Sequence, residues 1–216
     1  MQADEFNLKT ITDTVITNFV QLEISHCKSN NVKVTLKNTT EVDCNGVECS
    51  GYFCTDPNPE LVVAMGKHPS DWLATFVHET CHKDQWVEQS PVWNKKIKEY
   101  FDAADIFDMW LNNAVELTKN QLNDVLEQVM MVEIDCEKRS IEKIKKYNLP
   151  IDVIEYTQKA NSYIYYHHAI AYKRQWGAKT APYENPNVWT KMPLDFNQNY
   201  SKINRKMLNL YLKHCW

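Results

Sequence analysis

The sequence predicts an α+β fold, with a small antiparallel sheet within about residues 1–68 and a mainly helical part over about 69–216. Three observations carry this. Short runs with period-two or β-branched character all fall early in the chain. Turn chemistry at Asn45-Gly46 and Asp56-Pro57-Asn58-Pro59 separates them. Beyond them, apolar residues recur at helical spacing, and the whole 216-residue chain has only four glycines to interrupt them.

The elements follow in order. Residues 5–25 place Phe6, Ile11, Val15, Phe19 and Leu22 at helical spacing, although Thr10, Thr12 and Thr14 lower helix propensity. Val32-Lys33-Val34-Thr35-Leu36 alternates as a strand, and Gly51-Tyr52-Phe53-Cys54 is another. Leu61-Val62-Val63-Ala64-Met65 reads as a buried strand ending at Gly66. Pro69-Ser70-Asp71 then offers N-cap chemistry to a helix beginning Trp72-Leu73-Ala74. Ser90-Pro91 starts a further helix, from about Val92 to Asn112, with Trp93, Ile97, Tyr100, Phe101, Ile106, Phe107 and Trp110 for packing. A strongly helical run covers Asn120–Tyr147, breaks at Pro150 and resumes over Asp152–Trp176. Ala178–Asn199 is Pro- and Asn-rich and irregular, and Ile203–Lys213 is a last helix. No repeat or boundary is evident, so one domain spanning 1–216 is expected, large enough to bury its own core.

Inside the Trp72 helix lies Val77-His78-Glu79-Thr80-Cys81-His82, an H-E-x-x-H run. Positions four apart share a helix face, so His78 and His82 offer two imidazole nitrogens to one metal ion. Glu79 sits next to them, placed to hold a water and take its proton. Leu73, Phe76, Val77 and Thr80 form the stripe that buries this helix. The plainer alternative is a buried helix with two hydrogen-bonded histidines and a solvated Glu.

These residues resemble the HExxH zinc metallopeptidases called zincins, and His78 to Trp86 (HETCHKDQW) is also similar to uncharacterised phage-encoded metallopeptidase-like proteins. The resemblance is strongest over the motif helix, moderate from about Gly51 to Trp176 and absent at both ends. Lys83 and Asp84 depart from it, because the flanks of the zincin motif are usually uncharged or apolar. The gluzincin pattern implies a third ligand from a downstream helix, and Glu133 fits. Glu137, where the family usually has Asp, would then orient a ligand imidazole through its outer nitrogen. The metzincin pattern instead points to Glu88, but Gln85 stands where that pattern has its turning Gly. A solvated charged face formed by Glu133, Glu137, Lys138 and Glu142 is the competing reading of the downstream segment.

The resemblance implies a zinc-dependent hydrolase acting on a peptide or protein substrate, with Glu79 as general base. An oxyanion donor is also required, and the Tyr163–His168 segment supplies candidates in Tyr166 and His167. In zincins an edge strand pairs with the substrate backbone; either Gly51–Cys54 or Leu61–Met65 is a candidate for that role.

Seven cysteines, an odd count, read as reduced thiols. Cys81 and Cys136 fall in the two site helices and read as small apolar residues. Cys44, Cys49 and Cys54, at five-residue steps, fit a structural zinc site only loosely and read as free thiols in a hairpin. A net charge of −4 gives no basic footprint for nucleic acid, and Lys143, Lys145 and Lys146 read as a solvated helix end. There is no membrane-length apolar run and no signal-peptide pattern at Met1–Glu5, so a cytoplasmic protein is expected, in the host cytoplasm if phage-encoded. Two other classes compete with the hydrolase: a non-catalytic zincin-like binding module with a structural metal, and a metal-free helical interaction protein.

Overall fold

A computed structural model of the chain describes residues 6–44, 46–95, 102–177 and 179–216 and shows an α+β architecture. The chain packs as two compact units, Met1–Glu88 with Arg139–Ile151, and Gln89–Lys138 with Asp152–Trp216.

The first unit opens with a short 3-10 turn at Leu8–Thr10 and helix α1, Thr14–Ser29. The sequence had suggested a helix from residue 5. Asp13 moves the start, because its carboxylate accepts from the Val15 and Ile16 amides at 2.8 and 3.1 Å and caps the first turn. The strands are β1 (Lys33–Lys37), β2 (Val42–Cys44), β3 (Val47–Cys49), β4 (Gly51–Cys54) and β5 (Glu60–Ala64). Strands β2 and β3 form a hairpin through Gly46, whose φ of +85° is open to glycine at no steric cost. Its predicted turn partner Asn45 lies outside the described residues.

The main sheet is not the antiparallel sheet expected. Its order is β1-β5-β4, with β5 parallel to β1 and antiparallel to β4. The chain passes through the hairpin and β4 before β5 inserts centrally, so β5 meets one neighbour in each sense. The central place suits its sequence, since Leu61, Val62, Val63 and Ala64 are all buried. Of the two strands considered for substrate pairing, only β4 lies at an edge of this sheet.

Helix α2, Pro69–Val87, packs on β4 and β5. Gly51 permits the close approach: a Cβ there would fall 2.8 Å from Thr75 Cγ2 and 2.9 Å from the Val62 carbonyl oxygen. Phe19 of α1 meets Phe76 of α2 edge-on at 6.0 Å.

The second unit is helical. Helix α3 covers Ala103–Leu111, capped by Asp102, whose carboxylate accepts from the Asp105 amide at 2.9 Å. The helix expected over 92–112 is a turn at residues 91–94, where Ser90 accepts from the Trp93 and Asn94 amides. The predicted packing residues Ile97, Tyr100 and Phe101 lie outside the described residues. Helix α4, Lys119–Lys146, gives its first part to this unit and its last part to the other. Helix α5, Val153–Lys173, is capped by Asp152 and ends at Arg174 in the left-handed region, φ 51°. A 3-10 turn at Pro182–Glu184, the short α6 (Pro186–Trp189) and α7 (Arg205–His214) complete it. The core here joins Ile106, Val125, Ile164, Ile170, Val188 and Tyr211. No helix among the described residues is long and apolar enough to cross a membrane.

Candidate metal centre

Helix α2 begins at an N-cap that lies just before the Pro69-Ser70-Asp71 run in which the sequence suggests one. His68 is the cap, its Nδ1 accepting from the Ser70 amide at 3.3 Å, with Pro69 at the first helical position and Asp71 in the first turn. Trp72, Leu73, Phe76, Val77 and Thr80 are buried, so the helix is fixed in rotation as well as position. That rotation decides where the motif points.

His78 and His82 present their Nε2 atoms to each other at 3.1 Å, with the rings nearly perpendicular at 89°. A tetrahedral zinc with two bonds of 2.0–2.1 Å needs its two nitrogens about 3.3 Å apart. The separation is close to that of two nitrogens bound to one ion. The same separation also suits an N–H···N hydrogen bond, in which a proton on His78 takes the cation's place. His82 is oriented from behind: its Nδ1 lies 2.8 Å from Oε1 of the fully buried Gln85. With Nδ1–H donated to that carbonyl oxygen, the lone pair of His82 is on Nε2, facing His78. Gln85 thus orients the His82 imidazole through its outer ring nitrogen. Glu79 is buried beside the pair, and its charge helps raise the Cys49 thiol of β3.

The departure at Lys83-Asp84 has a physical account. At 100° per residue, Lys83 and Asp84 lie about 100–160° round α2 from His78 and His82. There they join α1 and the end of α4 in a buried ionic cluster. Lys83 Nζ reaches Glu23 at 3.0 Å, Asp84 at 2.6 Å and His26 Nδ1 at 2.7 Å. Lys143 Nζ reaches the other oxygens of the same carboxylates, Glu23 at 3.0 Å and Asp84 at 2.6 Å, and Thr80 at 3.0 Å. Each ammonium bridges both carboxylates, so the charges cancel in a closed square. Burial would raise the Asp84 carboxyl, but Lys143 and Lys83 outweigh it and hold it below its usual value. Burial likewise opposes charge on Lys143, and Cys81, Glu23 and Asp84 override it, leaving the ammonium pKa raised. Lys143 is therefore a half-buried structural cation, not part of the solvated helix end expected. Glu23, His26 and Asp84 have metal-ligand geometry, but the Lys83 ammonium already sits among them.

The other predicted residues are placed as follows. Glu88 is exposed at the end of α2, where Arg139 pairs with it at 2.6 Å. Glu137 is buried and accepts from the Tyr156 hydroxyl at 2.5 Å, so it is not part of a solvated face. Glu133 is half-buried and lines a cavity of the second unit together with His167. His167 is buried, which lowers its pKa against the opposing pull of Glu133. Its Nδ1–H donates to the Ile164 carbonyl at 3.3 Å. Tyr166 points elsewhere: its ring packs against Tyr211 and Trp216, its hydroxyl accepts from the Gly177 amide at 2.9 Å, and burial pushes it up to about 12. Within the second unit, Glu133 and His167 come together and Tyr166 does not join them.

No protein family, curated protein or solved structure matches this chain.

The site's chemistry therefore rests on the residues themselves. One of them is not singled out by the motif. Gln85 was weighed only as a missing glycine, although its i+3 spacing from His82 was a usable signal. Cys136 was read as packing, and it is fully buried on α4. Cys44, Cys49 and Cys54 are half-buried and form no disulfide, with burial pushing the Cys49 thiol up to about 12.

Proposed function

We propose that this chain is a zinc-dependent hydrolase, acting on peptide bonds, with His78 and His82 as ligands and Glu79 as general base. The observation that carries the reading is the His78–His82 pair, held at 3.1 Å on one helix face and oriented by Gln85. Zinc bound there supplies a Lewis acid and a more acidic water. Glu79, next in sequence to His78, takes the proton of the attacking water on its carboxylate and passes it to the leaving amine. The third ligand we assign to α4, where Glu133, Cys136 and Glu137 share a face spanning about 100° of the helix. Glu133 is the choice that the gluzincin resemblance favours, and Cys136 is the choice that thiolate chemistry favours.

The test is metal stoichiometry by elemental analysis on untagged protein, wild type beside Glu133→Ala, Cys136→Ala and Glu137→Ala. One zinc per chain, lost in one of the three, names the ligand. Glu79→Gln should keep the metal and lose peptide hydrolysis in a substrate screen. No zinc in the wild type after zinc is offered and excess removed would sink the reading. The buried state of Glu137 and Cys136 favours one alternative: if two α4 side chains bind together, the site is closed and the metal structural.

A further inference from the structure

The second unit holds a cavity of about 230 Å³ lined from α3, α4 and α5, with Trp176 at its exposed rim. Its deepest polar group is His167, and Phe107 and Tyr163 stand beside that ring at 6.2 and 5.0 Å. Two carboxylates face it at different depths, Asp108 on the exposed edge and Glu133 half-buried. No lysine or arginine is among the described residues lining it.

The carboxylates and the imidazole present acceptors, while Tyr163 and Trp176 add one donor each. His167 gives its Nδ1–H to the Ile164 carbonyl, so its Nε2 offers a lone pair. The carboxylates only accept. Aromatic faces attract cations and disfavour anions. An anionic ligand meets two negative charges, and a purely apolar one strips water from a carboxylate and an imidazole with nothing in return. The volume lies below the roughly 300–1,000 Å³ of small-molecule sites, which limits the guest to about one side chain.

We infer that this cavity binds an organic cation of side-chain size, an ammonium or guanidinium on a short alkyl stem, held by Glu133 and Asp108 against the aromatic wall. Such a group comes from a basic residue of a peptide or from a free amine. The inference goes beyond the metal reading and stands without it; because it claims Glu133 for the cavity, it leaves the third zinc ligand to Cys136 or Glu137.

The experiment is a titration of the full chain, ¹⁵N-labelled at histidine, with n-butylammonium, n-butanol and a blocked lysine peptide, following the His167 ring resonances. The expected result is a saturable shift with n-butylammonium that is at least tenfold weaker with n-butanol. Glu133→Gln and Asp108→Asn, checked for fold by near-UV circular dichroism, should each weaken the amine. Asp108 lies at the exposed edge, so its variant keeps the test decisive if Glu133→Gln fails to fold. Tighter binding of the lysine peptide assigns the cavity to a peptide side chain, and weaker binding assigns it to a free amine. Equal response to butanol, or unchanged binding in both variants, overturns the inference. Running zinc-supplemented and chelator-treated samples side by side separates the two readings: amine binding in both, with no zinc retained in either, leaves the cavity standing and the hydrolase fallen.

Discussion

In the first unit Lys83, Lys143, Glu23 and Asp84 are sealed around one another, whereas the second unit buries mostly neutral groups on neutral partners. There the Tyr211 hydroxyl donates to the Ser162 carbonyl at 2.8 Å, Asn161 donates to the Pro193 and Asp195 carbonyls at 3.0 Å each, and the Tyr200 hydroxyl donates to Asn161 at 2.5 Å. Glu137 is the charged exception, satisfied by Tyr156. The difference teaches where each unit is vulnerable. An ionic square fails when one charge is removed, because its partner stays buried without compensation. A neutral network around an apolar core fails chiefly when volume is removed.

The largest effect should therefore come from Lys83→Met. It leaves two buried carboxylates facing a single ammonium, and breaking such a pair costs about 3–5 kcal/mol. Urea denaturation checks it. The comparison sharpens in the double variant Lys83→Met with Glu23→Leu, which restores charge balance between Lys143 and Asp84 and should recover most of the loss. If the double variant is no better than the single one, the cluster is not acting as a charge-balanced unit. In the second unit Ile170→Ala, at a fully buried position, should cost about 2–5 kcal/mol through the void it opens.

Acid should separate the units by a different route. His168 donates Nε2–H to the Tyr200 carbonyl at 2.7 Å, and burial lowers its pKa from the usual 6.5. A lowered histidine pKa means that the unfolded chain takes up the proton first, so stability is lost as pH falls below about 6.5. Asp84 has its pKa lowered from 3.8, so its contribution is present above that value and disappears as pH falls through the lower folded value. The expected outcome is that, as pH is lowered, hydrogen-exchange protection corrected for the intrinsic rate is lost in α5 at a higher pH than in α1. The reverse order would refute this division of labour.

How much of this was legible in the sequence depended on range. The motif helix, the long helix through Glu133 and the helix after Pro150 are local signals, and each stands close to where the sequence put it. Asp13 was equally local but lost among threonines. The parallel β1–β5 pairing was not legible, because period-two runs state that strands exist and not which neighbours they choose. Lys83 and Asp84 read as a departure from a motif because Glu23 and Lys143 lie 60 residues away from Lys83 on either side. A buried ion pair looks the same as a solvated one until the fold brings its partner. For the site, the H-E-x-x-H spacing gave two facing imidazoles, and only the fold showed Gln85 behind one of them.

Gln85→Leu keeps the volume of a fully buried side chain and removes the acceptor for His82 Nδ1. Loss of such an orienting partner typically weakens metal binding by about 10–100-fold. Zinc affinity measured by chelator competition should drop by that factor with the fold intact. An unchanged affinity would mean that rotamer packing alone fixes His82.

The smallest effect is expected where α2 ends. Arg139 and Glu88 pair at 2.6 Å, but the Glu88 side chain is 57% exposed. Exposed pairs contribute about 0–1 kcal/mol, so Glu88→Ala should barely move the urea midpoint. The same variant addresses the metzincin-type alternative. If zinc stoichiometry is unchanged, Glu88 is only a surface partner of Arg139 and the third ligand must come from elsewhere, with α4 the leading source. If zinc is lost while stability holds, Glu88 is the ligand after all, and the small stability change is what makes that outcome readable. A variant that disturbed the ionic square could not give this answer, because a failing fold releases metal from any site.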